Sequence, residues 1–225
     1  MAWRGKSPMQ LAGGGVGLPA NEHVLRVVWP FVPVVLALAL VCIASVDVLS
    51  AARGFVSGES LWTKGQKAAV LHLLRYAESR DEADYDAYLA AIAVPQGDHQ
   101  ARLELEKPDY DHASAVQGLL TGGNHPDDVP GMIRLIRYFR HVPEIDEAIS
   151  IWAAADVEIA RLDGMARRLR ERVVQHGCDA ACVAPLQRNI ADVDALLTPM
   201  EEAFSASLGK ASRRVRGLLM WGSAG

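Results

Sequence analysis

The features that most readily betray a protein's class are scarce in this sequence. Three cysteines in 225 residues are too few for a fold built on disulfides. Aromatic residues make up 6%, and 19 glycines with 11 prolines fall far short of a collagen-like or low-complexity chain. There is no basic excess: a formal net charge of −4 and a pI near 6.0 argue against a nucleic-acid partner. Half the residues are hydrophobic and the mean hydropathy is +0.08, which excludes a disordered chain. Period-two alternation of β-branched residues is absent, so no strand is expected. Catalytic signatures are missing as well, with no Gly-x-Ser-x-Gly elbow, no phosphate loop and no cysteine at triad spacing. The glycine run at 13–17 neither follows a strand nor has nucleotide-loop spacing. No catalytic residue and no cofactor are expected.

What the sequence does have is one long uncharged run, residues 27–46, reading VVWPFVPVVLALALVCIASV. Twenty residues at ~1.5 Å each match the ~30 Å hydrocarbon core of a bilayer, so a transmembrane helix is expected there. Pro30 and Pro33 fall in its first turns, where lost backbone bonds cost least, and Trp29 sits at the interfacial end. Arg4, Lys6 and Arg26 precede the run against Glu22 alone. The positive-inside rule then puts a short tail, 1–26, in the cytoplasm and the rest outside it. Beyond the run, residues 47–208 carry 16 basic and 26 acidic residues, whereas 209–225 carry Lys210, Arg213, Arg214 and Arg216 and no acid. That last segment reads as juxtamembrane, or as the start of a second crossing.

Between these ends the periodicity is helical throughout, and the fold class expected is all-α. The first helix continues from the membrane to about Tyr76, with Gly54, Gly58 and Gly65 marking a kink or a close helix approach. Asp81–Asp84 starts a second helix, which Pro95-Gln96-Gly97 is expected to halt, followed by a short helix at Ala101–Glu106 and another from Pro108 or Asp109 to Leu120. In Gly122-Gly123-Asn124-His125-Pro126-Asp127-Asp128 the glycines stop one helix, and Pro126 suits the first position of the next, which ends before Pro143. Two long helices close the domain. Ile145, Ile149, Trp152, Ala155, Ile159, Leu162, Ala166, Leu169 and Val173 recur at steps of three and four, as do Leu186, Ile190, Val193, Leu197, Met200, Phe204, Leu208, Ala211, Val215 and Leu218. That is the seam spacing of a bundle, folded at Gly177 into an antiparallel hairpin.

Cys178 and Cys182 lie at the hairpin turn and are a disulfide candidate, with free thiols or a metal as alternatives; Cys42, in the apolar run, is expected to be inert. His99, His112, His125 and His141 stand near several aspartates but lack the spacing of a metal site, so no metal is assigned. Arg137, Arg140 and His141 close a helix and suit a clamp for a carboxylate or phosphate, although cations at a helix C-terminus are favoured by the dipole in any case. Trp62 and Lys67 on the first helix carry the same ambiguity between core and site.

The series Leu61-Trp62-Thr63-Lys64-Gly65-Gln66-Lys67, Arg75-Tyr76-Ala77, Pro95-Gln96-Gly97-Asp98, Leu105-Glu106-Lys107-Pro108, Gly122 to Asp128 and Phe139-Arg140-His141-Val142 resembles the extracytoplasmic helical sensor region of proteobacterial membrane-bound histidine kinases and diguanylate cyclases. The resemblance spans roughly residues 45–216. It implies a sensor domain at 47–208 of a receptor in the bacterial inner membrane, periplasmic and working in a two-component or cyclic-dinucleotide system. The kinase or cyclase output is absent from these 225 residues. Asn124, His125 and Asp127, within its most specific stretch, join Trp62, Lys67, Arg137, Arg140 and His141 as candidate ligand-binding side chains. The signal itself, a small molecule or a protein, is open. The helical seams also suit a homodimer. The alternative reading is a single-pass membrane-anchored helical scaffold or binding protein, complete in itself.

Overall fold

The computed structural model describes residues 28–176 and 180–222, the side chains of 44, 45, 47–49, 52, 175, 176, 180, 215, 216 and 218–222 excepted. These residues form six helices and no strand: α1 (Phe31–Ser79), α2 (Glu82–Glu106), α3 (His112–Thr121), α4 (Val129–Phe139), α5 (Pro143–His176) and α6 (Ala180–Gly222). The all-α class expected from the periodicity is the class observed.

The chain divides into two units, residues 1–44 and 45–225. In the first, the described part is Val28 to Pro30 and the beginning of α1, whose side chains up to Ile43 are all exposed although nearly all are apolar. Among the described residues no helix is long and apolar enough to cross a membrane. The span expected at 27–46 includes Val27 and the side chains of Ala44 and Ser45, which lie outside the described residues, as do the tail 1–26 and residues 223–225.

The second unit has two apolar cores. In one, α1, α2, α5 and α6 pack as a four-helix bundle around Leu73, Tyr76, Tyr88, Leu162, Ile190 and Leu197. In the other, α3 and α4 join them around Leu105, Leu119, Ile133, Ile136 and Trp152. The seam expected in α5 is buried at Ile145, Trp152, Ala155, Ile159, Leu162, Ala166 and Leu169, and that of α6 at Leu186, Ile190, Val193, Leu197 and Leu208. Ile149, Val173, Met200 and Phe204 are half-buried at the cluster margins.

Three boundaries differ from the sequence reading. The helix expected to halt before Pro95 runs on to Glu106 as one 25-residue element. Proline there removes the bond to the Ala91 carbonyl, and that carbonyl lies against Gly65 of α1, where a Cβ would stand only 3.1 Å away. Burial of Pro95 with Ile92, Ala101 and Leu105 on one face outweighs the lost bond. The expected short helix at 101–106 is therefore the end of α2, and α3 begins at His112 with Asp111 as its cap, the Asp111 carboxylate accepting from Ala113 N at 3.0 Å. Pro126 does not open a helix: α4 starts at Val129 with Pro130 in its first turn. The glycine pair does end α3. Gly123 takes φ +80°, Gly123 N donates to Leu120 O and Asn124 N to Leu119 O, the bond pair of a Schellman cap.

The three glycines of α1 resolve as close approaches. Residues 54, 58 and 65 lie at helical spacing on one face, and a Cβ at each would meet Asp128 at 3.0 Å, the Asn124 amide at 2.6 Å and Val94 at 2.8 Å. Gly97 and Gly118 do the same between α2 and α3, each facing the other's carbonyl within 2.8 Å of where a Cβ would be. Missing side chains thus let backbone pack on backbone.

Candidate functional site

Where the two cores meet there is a cavity of about 40 Å³. A water needs roughly 10–15 Å³ on this scale, so the space fits about three or four heavy atoms. Its walls are aromatic and thioether groups: Phe55 and Trp62 of α1, Met132 of α4, Trp152 of α5, and Met200 and Phe204 of α6. Trp152 and Phe204 stand edge to face with centroids 6.3 Å apart. Each comes from a seam or face that the helical repeat turns inward.

Three carboxyl groups also line the cavity: Glu59, Asp98 and Glu201. Asp98 is 4% exposed and packs against Gly122, whose missing Cβ makes room for its carboxylate. It accepts a 2.9 Å bond from Asn124 Nδ2, and Asn124 Nδ2 also donates to Leu119 O. Burial pushes its pKa up to about 8; the Asn124 bond works against this and the nearby Asp156 charge adds to it. Burial also raises Glu201, against the pull of Lys67. Among the described residues six buried side-chain atoms lack a hydrogen-bond partner, and three of them, Trp62 Nε1, Trp152 Nε1 and Glu201 Oε1, belong to residues lining the cavity, the last lying 3.7 Å from the Lys67 ammonium. Such groups normally find one, so three in residues lining one cavity are a signal.

A more open groove of about 420 Å³ lies between α2 and α5. In it His99 Nδ1 is 2.8 Å from Asp156 Oδ2, and Arg102 Nε donates to the same oxygen at 2.8 Å and Arg102 Nη1 to Glu106 Oε1 at 2.6 Å. Burial raises the Asp156 pKa although His99 and Arg102 both oppose it. The pair has the geometry of an oriented imidazole, but no serine, threonine, cysteine or tyrosine lines the groove, so no nucleophile accompanies it. Its cations bond Asp156 Oδ2 and Glu106, which ties α2 to α5, while Asp156 Oδ1 is buried without a hydrogen-bond partner.

The residues singled out in the sequence scatter. Trp62 lines the cavity and Asn124 holds Asp98 there. Lys67 spans from α1 to α6, donating to Asp194 at 2.9 Å and Thr198 at 2.7 Å with Glu201 Oε1 at 3.7 Å, while Gln66 donates to Asp194 at 3.0 Å. His125 and Asp127 are on the surface, 3.6 Å from each other. Arg137 is spent on the end of α2, donating to Leu105 O, Lys107 O and Pro108 O with its guanidinium over Tyr110. Arg140 is half-buried and His141 exposed. Cys182 is disulfide-bonded, Cys42 is a free thiol, and Cys178 lies outside the described residues. Among the described residues no three His, Cys, Asp or Glu side chains gather for a metal.

Asp98, Glu201 and Trp152 were missed as site residues. Asp98 was hidden by reading Pro95 as a helix end. Carried through the proline, the spacing Ile92, Pro95, Asp98, Ala101, Leu105 puts an acid on a buried face. No protein-family model, curated protein or solved structure matches this chain.

Proposed function

We propose that the chain is the signal-sensing input module of a bacterial membrane receptor, of the kind that feeds a histidine kinase or diguanylate cyclase. Residues 27–46 anchor it in the inner membrane with the N-terminus cytoplasmic, and residues 47–208 sense a ligand in the periplasm. The observation that carries this reading is the cavity between the two cores, with its unpartnered buried polar atoms. The exposed apolar side chains of α1, among them Val35, Leu38 and Ile43, each at least 60% exposed, support the anchor. The contacts between α1 and α6 support a route from the cavity toward the anchor. Glu201 lines the cavity, and Lys67 of α1 reaches toward it while bound to Asp194 and Thr198 of α6. Occupancy that changes the environment of Glu201 biases the α1–α6 register, and helix shifts of ~1–2 Å suffice to signal.

The test uses the full chain expressed in a bacterium with Gln117→Cys, an exposed position on α3. The expected outcome is resistance to alkaline extraction from membranes, with labelling of the new thiol by an impermeant maleimide in spheroplasts. Protein released by alkali, or a thiol labelled only after lysis, overturns the membrane-sensor reading.

A further inference from the structure

We infer that the cavity between the two cores takes a small uncharged, apolar molecule of about three or four heavy atoms, a short hydrocarbon or thioether. The inference rests on reading this cavity as the ligand site and names the chemistry it selects. Carbon and sulfur make up nearly all of its walls: the rings of Phe55, Trp62, Trp152 and Phe204 and the thioethers of Met132 and Met200. Both indole nitrogens are buried, so the two tryptophans offer ring carbon to an occupant. The acids of the lining are each answered by the protein itself. Burial keeps Asp98 protonated below about pH 8, with Asn124 Nδ2 on its Oδ1 at 2.9 Å. Glu201 Oε1 lies 3.7 Å from the Lys67 ammonium, and half-buried Glu59 accepts from Thr63 Oγ1 at 3.4 Å. A charged occupant would shed its water here and find no free counter-charge. An apolar one gives up no hydrogen bond and gains contact with surface that water wets poorly. Methionine suits such a wall, because its unbranched chain shifts to fit an occupant and its sulfur packs well against ring edges. Gly58 adds to the room: Met132 Cε stands 3.2 Å from where a Cβ would be, so the thioether lies against bare backbone.

Four probes of similar size separate shape from charge: propane, dimethyl sulfide, dimethylammonium and acetate. Each is titrated into the full chain, isotope-labelled at the methionine methyls and held in a maltoside detergent, with the aqueous probe concentration measured. Binding is read from the methyl resonances of Met132 and Met200, which line the cavity and are assigned with Met132→Leu and Met200→Leu. Propane and dimethyl sulfide are expected to shift both resonances and to saturate at roughly millimolar concentration, near the limit for so few atoms. Dimethylammonium and acetate are expected to leave them unmoved at about tenfold that concentration. Ala155→Val fills the wall and is expected to abolish the shifts without loss of helical circular dichroism. Met200→Ala opens the wall and is expected to admit benzene, which the parent excludes, as read at Met132. A response to dimethylammonium or acetate that matches the response to propane overturns the inference while leaving the cavity a ligand site. Shifts that persist in Ala155→Val, with benzene refused by Met200→Ala, put the probes elsewhere and also overturn it. Silence from all four probes overturns the inference and the cavity reading together.

Discussion

Asp98 sets the pH response of the fold more than any other single group. Its carboxyl is nearly inaccessible and burial holds its pKa near 8, against 3.8 for the ordinary group. The folded state therefore keeps a proton that the unfolded chain releases above about pH 4. The sign follows: between roughly pH 4 and 8 the native state binds more protons, so stability falls as pH rises and levels off above about 8. Glu201 and Asp156, raised by burial, act in the same direction. Asp194 acts oppositely: burial raises it, yet the bonds from Gln66 and Lys67 leave it below its usual range, so its contribution is lost only in acid. Asp98→Asn keeps the acceptor oxygen for Asn124 and removes the titration. Urea midpoints measured at pH 5 and pH 8 are expected to differ much less in the variant than in the parent, with a gain at pH 8 on the order of a few kcal/mol. Glycines give a second contrast at this scale. Gly97→Ala places a Cβ 2.7 Å from Gly118 O and Gly122 N, backbone atoms that cannot yield cheaply, and is expected to cost about 1–3 kcal/mol. Gly164→Ala meets only the end of Arg168, at 3.6 Å, and is expected to stabilise by about 0.5–1 kcal/mol. Thermal unfolding of the two variants beside the parent checks both.

The helices differ in how plainly they are written in the sequence. In α5 and α6 the apolar repeat runs over whole heptads and each residue faces another helix, so local pattern and tertiary burial agree. The ends of α2 and α3 were also legible where capping chemistry is local, at Asp81 and at Gly122-Gly123. The centre of α2 was not. Pro95 is a strong breaker on its own, and what keeps the helix going is the burial of Pro95, Asp98 and Arg102 against elements far away in sequence. The surroundings of Arg137 were hidden for the same reason: its guanidinium is claimed by carbonyls 29 to 32 residues earlier in the chain. Of the cavity, Trp62 was legible, as was Asn124, which bonds Asp98 behind it, and the acids Glu59, Asp98 and Glu201 were not. A buried carboxyl leaves no mark in composition or spacing unless the face it occupies is already known.

Across the whole molecule the long helices carry a constraint of a different kind. The seams of α5 and α6 advance by threes and fours, and they bury one continuous row on each helix against a common core. Two extra residues turn everything beyond them by about 200° around the helix axis. An insertion of two alanines between Arg161 and Leu162 is therefore expected to abolish cooperative unfolding in a denaturant titration. Seven residues restore the facing after about 10 Å of added length. Seven residues added after Val173, matched by seven before Val183, are expected to leave the unfolding midpoint close to that of the parent. The hairpin can thus lengthen in descent only by paired, heptad-sized steps, so chain length itself is inherited in discrete units, and single-residue insertions are tolerated only in the turns.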